Sequence, residues 1–380
     1  MLVTPRYGRS SLADLIPSVL ATLGVAGEVD RLELGLHGVN RVCVLLVDGL
    51  GANLLATRED AAPFLTSARP ATLTVGFPST TATSLSSLGS GRPPGEHGVV
   101  GYLLSVPGHE RLMNPLKWRL HGPGDKIDLL KELVPEEFQP QETAFERAAA
   151  AGISVGRVGP MYQAASGLSR ASLRGGDFRP NFSMGDLADG AIIALQAGTR
   201  SLVYAYHGEL DLTGHVRGPH SDAWALELQQ VDLLAKSIAD RLPPDAALLV
   251  TGDHGMVHVE APVDFDTTPA LQAGVRQLGG EPRARHVYTR PGAATDVAMS
   301  WKSCLGPEYL VVQRAEAISN GWFGPVVTHS AARRIGDVIT VAVGSGAVIR
   351  SAIEPLQSML VGHHGSLTEA EMLVPLLIFR

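Results

Sequence analysis

The amino-acid sequence predicts an α/β fold with a mostly parallel central sheet covered by helices. Three continuous apolar runs, RVCVLLV at 41–47, SLVYAYH at 201–207 and AALLVTG at 246–252, are typical of strands buried on both faces. Helical patterns lie between them along the chain. This alternation of strand and helix is the arrangement in which helices cover a parallel sheet.

The individual elements have their own signals. Residues 1–25 lack a basic segment followed by a continuous apolar one, so they predict a helix capped by Ser10 or Ser11 and not a signal peptide. A late apolar run at 372–379 predicts a further strand. Amphipathic patterns predict helices at 141–152, 184–198 and 221–242, the last capped by Ser221 or Asp222.

The length of the chain predicts a main domain with a sub-domain. It has 380 residues, and 45% of them are hydrophobic. This length exceeds the size at which a single hydrophobic core keeps growing. We expect residues 1–259 to form the first part of an α/β core, with an insertion at about 103–140. Residues 260–345 form an inserted cap-like segment with its own small sheet, and 346–380 complete the core.

Composition excludes several classes of protein. The formal net charge is -7 and no basic run is present, which disfavours binding to a nucleic-acid scaffold. Cys43 and Cys304 are the only cysteines, so a disulfide framework is excluded. No stretch approaches the length of a membrane span. We therefore expect a soluble cytoplasmic protein, and the sequence contains no signal for its oligomeric state.

Polar residues follow the three predicted strands directly. Open parallel sheets bind ligands outside the carboxyl ends of their strands, so these residues are expected to meet at one edge. Such a set of oxygen and nitrogen ligands suits zinc first, with manganese or iron as substitutes. The alternative is that each Asp caps a helix and each His is a satisfied turn residue. The candidates are Asp48, Asp211, His215, Asp253, His254, and His363 or His364.

The stretch FPSTTATSL at 77–85 predicts a helix that begins with hydroxyl side chains. A start near Ser79 to Thr81 places a threonine hydroxyl at a helix N-terminus, whose free N–H groups and dipole favour an anion such as phosphate. A nearby metal would lower the pKa of that hydroxyl and make it a nucleophile. The alternative is that Ser79 and Thr80 only cap the helix.

The motifs together resemble those of the alkaline phosphatase superfamily, and within it the nucleotide pyrophosphatase/phosphodiesterase (type I phosphodiesterase) family. They follow the family order from about residue 41 to the end of the chain. Each motif is weak alone, but the ordered set is specific. The matching segments are LLVDGL around Asp48, FPSTT at 77–81 followed by Ser90-Gly91 and PGEHG, DLTGHVRGP at 211–219, DHGM at 253–256 and GHHG at 362–365.

The resemblance implies an alkaline-phosphatase-like α/β/α sandwich with two Zn²⁺ ions. Thr81, and not Thr80 or Thr83, would be the nucleophile that cleaves a phosphodiester or pyrophosphate bond of a small-molecule phosphoester through a phosphoryl-threonine intermediate. Mn²⁺ or iron could replace zinc. The implied ligands are Asp211, His215 and His364 for one ion, and Asp48, Asp253 and His254 with Thr81 for the other.

Two positions expected to bind substrate depart from the family pattern. The asparagine that donates to a phosphoryl oxygen corresponds to Tyr102, whose hydroxyl can donate from a different backbone position. The aromatic residue that stacks on a nucleotide base corresponds to Ala82. Loss of such stacking removes about 1 to 3 kcal/mol of binding free energy for the base. The departure at Ala82 therefore predicts weak nucleotide specificity.

Other functions remain open on sequence grounds. The same two-metal site would suit a phosphonate hydrolase or a phosphomonoesterase, although no arginine is clearly placed beside Thr81 for the extra charge of a monoester. A sulfatase is disfavoured because neither cysteine lies in a Cys-x-Pro-x-Arg pattern. A non-catalytic, metal-stabilised binding protein is the third class, and it would have no need of Thr81. We expect His97 to orient its loop by hydrogen bonds and not to bind metal.

Overall fold

The computed structural model describes residues 1–380. Its strands are β1 (Arg41–Val47), β2 (Ala71–Thr74), β3 (Met113–Asn114), β4 (Arg119–Leu120), β5 (Ser154–Pro160), β6 (Asp177–Asn181), β7 (Ser201–His207), β8 (Ala246–Gly252), β9 (Val257–His258), β10 (Pro262–Asp264), β11 (Val275–Glu281), β12 (Ala284–Thr289), β13 (Tyr309–Gln313), β14 (Val338–Ala342), β15 (Ala347–Ile349), β16 (Gly362–His363) and β17 (Leu373–Phe379).

Its α-helices are α1 (Leu15–Thr22), α2 (Ala52–Ala56), α3 (Pro63–Ser67), α4 (Thr81–Ser90), α5 (Pro94–His97), α6 (Pro135–Phe138), α7 (Ala144–Ala150), α8 (Gly167–Ser172), α9 (Met184–Leu195), α10 (Glu209–Arg217), α11 (Asp222–Ala239), α12 (Pro269–Gln272), α13 (Ala294–Leu305), α14 (Arg314–Ser319), α15 (His329–Arg334), α16 (Pro355–Ser358) and α17 (Glu369–Met372). None of the helices combines the length and apolar character needed to cross a bilayer.

The central sheet has seven strands in the order β2-β17-β8-β1-β7-β5-β6. Strand β1 pairs in parallel with β7 and β8, and β5 pairs in parallel with β7 and β6. Strand β17 is antiparallel to both of its neighbours. The three apolar runs are therefore the three adjacent central strands, which confirms the predicted α/β fold with a mostly parallel sheet.

Alternate side chains of β1 point into two separate cores, one on each face of the sheet. The first core includes residues from α1, α4 and α7, and the second includes residues from α9 and α11. Burial on both faces is why β1 is apolar at every position from 42 to 47. The two sets are Val42, Val44 and Leu46 in the first core, and Cys43, Leu45 and Val47 in the second.

At two helix starts, the structure shows which of the two predicted residues lies at the N-terminus. Ser11, not Ser10, precedes the first helical turn, and both its N–H and its hydroxyl donate to the carboxylate of Asp14. Ser221 caps α11, because its hydroxyl accepts from the N–H of Trp224 at 3.2 Å. Such caps satisfy N–H groups that have no partner within the helix.

A second, antiparallel sheet has the order β11-β12-β14-β13. It lies within 260–345, the segment expected to carry its own small sheet, and α13 packs on it through Val297 and Trp301. A buried ion pair of Arg283 with Glu371 joins this sheet to the C-terminal part of the chain. The division of the chain into core and cap, including an insertion at 103–140, stays a prediction.

Candidate active site

The carboxyl ends of β1 and β8 bring two aspartates together. In the parallel register Val47 lies opposite Gly252, so Asp48 and Asp253 follow at the same level of the sheet edge. Both carboxylates are buried. The N–H of Gly49 donates to Oδ1 of Asp253 at 3.0 Å, and Nε2 of His254 lies 3.3 Å from Oδ1 of Asp48. These three acidic and imidazole side chains form one compact group, the first ligand group.

Helix α10 carries the third aspartate. This helix was not predicted from the sequence. It places Asp211 and His215 four residues apart on one face, with Nε2 of His215 3.3 Å from Oδ2 of Asp211. Gly49 has φ +76, and a Cβ there would come within 3.0 Å of Asp211. Only glycine allows α10 to approach the end of β1 this closely.

The C-terminal loop supplies the third histidine, and the structure distinguishes the two candidates. His364 points to α10, with its Nε2 3.9 Å from Oδ1 of Asp211, whereas Nε2 of His363 faces the carbonyl of Leu360. Asp211, His215 and His364 form the second ligand group. None of the three aspartates is the N-cap of a helix, so the capping alternative does not describe them.

The three histidines share one hydrogen-bond pattern. Each Nδ1 lies against a backbone carbonyl, which can only accept a hydrogen bond, so Nδ1 carries the proton and Nε2 offers its lone pair to the site. Second partners of this kind fix the tautomer of histidines that bind metal. The pairs are His215 with Gly362 at 2.7 Å, His254 with Gly255 at 3.0 Å and His364 with Ser79 at 2.8 Å.

Thr81 lies beside the first ligand group as the first residue of α4. Its Oγ1 is 3.2 Å from Nε2 of His254 and 3.5 Å from Oδ1 of Asp48. Thr80 occupies the N-cap position but makes no side-chain capping bond. The hydroxyl of Ser79 donates to the carbonyl of Ser366, so it ties α4 to the C-terminal loop and does not cap the helix.

The buried carboxylates of the site need positive charge nearby to be ionised. Burial, together with the charges of Asp253 and Asp211, raises the pKa of Asp48, and burial also raises the pKa of Asp253. Burial opposes ionisation of Asp211 too, but the charges of His215, His254 and His364 and the hydrogen bond from His215 together outweigh it and lower the pKa of Asp211. Oδ1 of Asp211 and Oδ2 of Asp253 are buried without a hydrogen-bond partner. A bound cation would satisfy both oxygens, so the residues present fit metal ions.

The two predicted substrate positions differ in their placement. Tyr102 lines a cavity of about 300 Å³ that also includes Thr81, Asp211 and His364. Ala82, by contrast, is fully buried in the first core and lines neither of the cavities next to Thr81. One residue after Thr81, the helix has turned this position towards the core. Ala82 therefore has no surface on either cavity, and its expected place in the substrate site stays a prediction.

Several residues that line the cavities beside Thr81 were not predicted from the sequence. Glu281 lines the same cavity as Tyr102, accepts from the N–H of Tyr102 at 3.0 Å, and its burial raises its pKa to about 8. His207 is buried between Glu209 and Glu227 in a second cavity beside Thr81. No motif marks these residues, because their positions depend on packing between distant segments.

His97 hydrogen-bonds within its own loop. Its Nδ1 accepts from the N–H of Val99 at 3.1 Å, and its Nε2 lies 3.0 Å from the hydroxyl of Ser87 on α4. The ring is buried and belongs to neither ligand group. It connects the glycine-rich turn after α4 to the helix that begins with Thr81.

Comparisons with known proteins agree with this arrangement. Residues 42–367 match the family described as type I phosphodiesterase / nucleotide pyrophosphatase. Murine ectonucleotide pyrophosphatase/phosphodiesterase 5 superposes with a TM-score of 0.66 and 17% identity, covering 89% of this chain and 88% of that one. Phosphonoacetate hydrolase from Sinorhizobium meliloti 1021, solved with phosphonoformate, gives a TM-score of 0.65 and 17% identity, covering 90% and 89%. At this identity the likenesses show the shared fold.

A local similarity links the chain to a much longer protein. The catalytic subunit of human GPI ethanolamine phosphate transferase 3 is 34% identical over 86 residues, which are 21% of this chain and 8% of that protein. The family match, in contrast, extends over most of the chain and includes both ligand groups and Thr81. The chain belongs to the type I phosphodiesterase/nucleotide pyrophosphatase family.

Proposed function

We propose that this protein hydrolyses phosphodiester or pyrophosphate bonds at a two-zinc site, with Thr81 as the nucleophile. Asp48, Asp253 and His254 would hold one ion together with Thr81. The second ligand group, Asp211, His215 and His364, would hold the other. When bound, the ions supply positive charge that lowers the pKa of a neighbouring hydroxyl and stabilises the charge that develops on phosphoryl oxygens.

The residues of the chain divide the reaction among them. Oγ1 of Thr81 attacks phosphorus and forms the new P–O bond as its proton passes to solvent, while the bond from phosphorus to the leaving oxygen breaks and its electron pair leaves with that oxygen. Water then attacks phosphorus and the bond to Oγ1 breaks; one proton of the water restores the Thr81 hydroxyl, the other passes to solvent, and the phosphorylated product is released. The first turn of α4 has N–H groups without partners in the helix, and these can donate to the phosphoryl oxygens.

The position of Thr81 is the observation that supports the proposal most strongly. Its hydroxyl lies within 3.5 Å of two members of the first ligand group, at the start of a ten-residue helix. Neighbouring Ser79 is engaged with the C-terminal loop, and Thr80 forms no capping bond. A metal site that served only to stabilise the fold would not need a hydroxyl side chain at this point.

The proposal is tested by side-by-side hydrolysis of bis-p-nitrophenyl phosphate, p-nitrophenyl phosphate and thymidine 5′-monophosphate p-nitrophenyl ester. The zinc content of the same protein is measured by elemental analysis. Two zinc ions per chain and faster turnover of the diesters are expected. Faster turnover of the monoester would reassign the protein as a phosphatase, and protein that holds no metal and turns over none of the three would contradict the proposal.

A further inference from the structure

The larger cavity at the active site has a volume of about 700 Å³. One part of its wall is formed by Asp48, Thr81 and Asp211, so a substrate held at Thr81 extends one of its substituents into this space. Another part is formed by the end of β7, the start of α10 and a single residue of α11, Glu227. The groups on these walls therefore determine which substituent the cavity accepts.

The cavity contains negative side chains and no positive ones. No lysine or arginine lines it, and none lines the neighbouring 300 Å³ cavity. Of its four carboxylates, Asp48 and Asp211 belong to the ligand groups, which leaves Glu209 and Glu227. A phosphodiester is already an anion, so two additional carboxylates would weaken its binding unless the substrate itself carries a positive charge.

A buried histidine lies between these two carboxylates. Nδ1 of His207 is 3.1 Å from Oε2 of Glu209, and its Nε2 is 3.3 Å from Oε1 of Glu227. The His207 side chain is 4% exposed, and its Nε2 makes no hydrogen bond of good geometry. One imidazole can carry at most one positive charge, so the trio keeps at least one net negative charge facing the cavity.

Aromatic side chains lie on the same cavity. Tyr162 and Phe182 both line it, yet they are 71% and 80% exposed. Exposed apolar side chains that are grouped on one cavity wall mark ligand-binding grooves. Rings close to carboxylates are the surroundings in which proteins bind ammonium groups, because the ring face attracts cations and its apolar surface packs against methyl or methylene groups.

We infer that this cavity binds a phosphodiester substituent that carries an amine or quaternary ammonium group and no second anion, with Glu209 and Glu227 as its counter-charges. The inference rests on the proposed function, since it names the substrate class of the same site. It narrows the proposed function to phosphodiesters, because pyrophosphates, dianionic monoesters and carboxylate-bearing phosphonates would each place a second negative charge where no basic side chain is available.

The test compares p-nitrophenylphosphorylcholine with p-nitrophenyl 3,3-dimethylbutyl phosphate, which has the same shape but a carbon atom in place of the charged nitrogen. The readout is the ratio of kcat/KM for the two esters within each protein. We expect a ratio of about ten in the unaltered protein and a fall towards one in Glu227→Gln and Glu209→Gln. Glu316→Gln, which removes the same charge at an exposed site on α14, is the control and should keep the ratio at about ten.

A second measurement separates this inference from the proposed function. Calorimetry measures binding of both esters to Thr81→Ala, which needs no turnover. Tighter binding of the choline ester supports the inference even if no diester is hydrolysed, an outcome that would count against the proposed function alone. Equal kcat/KM and equal binding for the two esters would overturn the inference while leaving diester hydrolysis intact. A ratio that falls as much in Glu316→Gln as in Glu227→Gln would also overturn it.

Discussion

Nε2 of His254 lies 3.2 Å from Oγ1 of Thr81, although the two residues are separated by 173 positions in the chain. The sheet explains this proximity, because β8 ends immediately before Asp253 and His254 while α4 begins at Thr81 near the same edge. Nδ1 of His254 faces the carbonyl of Gly255, so Nε2 presents a lone pair towards the hydroxyl and Asp48. The hydroxyl is thereby held at the first ligand group, on the wall of both cavities.

Removal of the hydroxyl should abolish turnover without loss of metal. We expect Thr81→Ala to lower kcat on bis-p-nitrophenyl phosphate by at least about 10³-fold, since no other free hydroxyl is equivalently placed. Thr81→Ser should keep part of the activity. Elemental analysis should find the metal content of both variants close to that of the unaltered protein. Thr72→Ala, at an exposed position of β2, is the matched control. Substantial turnover by Thr81→Ala would refute the assigned nucleophile.

The two ligand groups should have separable roles. Asp253→Ala is expected to lose the ion next to Thr81 and with it the attack on phosphorus, so neither a burst nor steady turnover should remain. Asp211→Ala is expected to lose the other ion and chiefly to slow hydrolysis of the intermediate, giving a burst of p-nitrophenol followed by a slow phase. Stopped-flow absorbance and metal analysis check both variants. Identical residual rates without a burst in either would contradict this division.

The buried His97 should make the protein less stable in acid. Burial, together with the charge of Arg334, lowers the pKa of His97 from 6.5 to about 3. As pH falls below 6.5 the unfolded chain binds a proton that the folded chain does not, so the free energy of unfolding decreases, by about 2 kcal/mol at pH 5. His97→Asn should lose that much less stability between pH 7.5 and pH 5. Urea unfolding of metal-loaded protein at both pH values measures the difference, and an equal loss in both proteins would contradict the assignment.

The buried pair of Arg283 and Glu371 should stabilise the loop that carries His364. Two contacts of 3.0 and 2.7 Å join the fully buried partners, and Glu371 also accepts from the N–H of Ser366 at 3.0 Å. Glu371→Ala leaves a buried guanidinium unpaired and should cost about 3 to 5 kcal/mol of unfolding free energy. Metal content should fall with it, because Ser366 follows His364 by two residues.

A double variant separates pairing from packing at this position. Arg283→Met with Glu371→Leu removes both charges and keeps most of the volume, so it should recover much of the stability lost in Glu371→Ala. Denaturant unfolding of the single and double variants gives the coupling between the two side chains. A cost below about 1 kcal/mol for Glu371→Ala would show that the pair does not hold the loop.

The parts of the fold predicted from sequence are those with strong local signals. β1, β7 and β8 are continuous apolar runs because both of their faces are buried, and their bounds match the predicted runs. Towards the edge of the sheet, β5 contains Arg, Gly and Pro and β6 contains Arg and Pro, so their patterns are too weak to predict strands. Helix α10 was missed because its apolar residues do not form a clear face and Gly214 interrupts the pattern.

At the site, too, residues in recognisable motifs could be predicted, whereas residues brought in by packing could not. Motif order identified the six ligand candidates and Thr81, and strand ends explained why they would converge. The burial of Ala82 could not be predicted, because a motif position does not reveal which way a helical side chain points. The grouping of His207 and Glu209 with Glu227 became apparent only in three dimensions, since Glu227 reaches the cavity from α11.

The most direct test of the account is to trap the covalent intermediate. Metal-loaded Asp211→Ala is mixed with excess bis-p-nitrophenyl phosphate, quenched in acid within the burst, digested and analysed by tandem mass spectrometry. We predict a p-nitrophenyl phosphoryl group attached to Thr81. Turnover with no labelled residue, or a label on Ser79 or Thr80, would contradict the claim that the Thr81 hydroxyl attacks phosphorus.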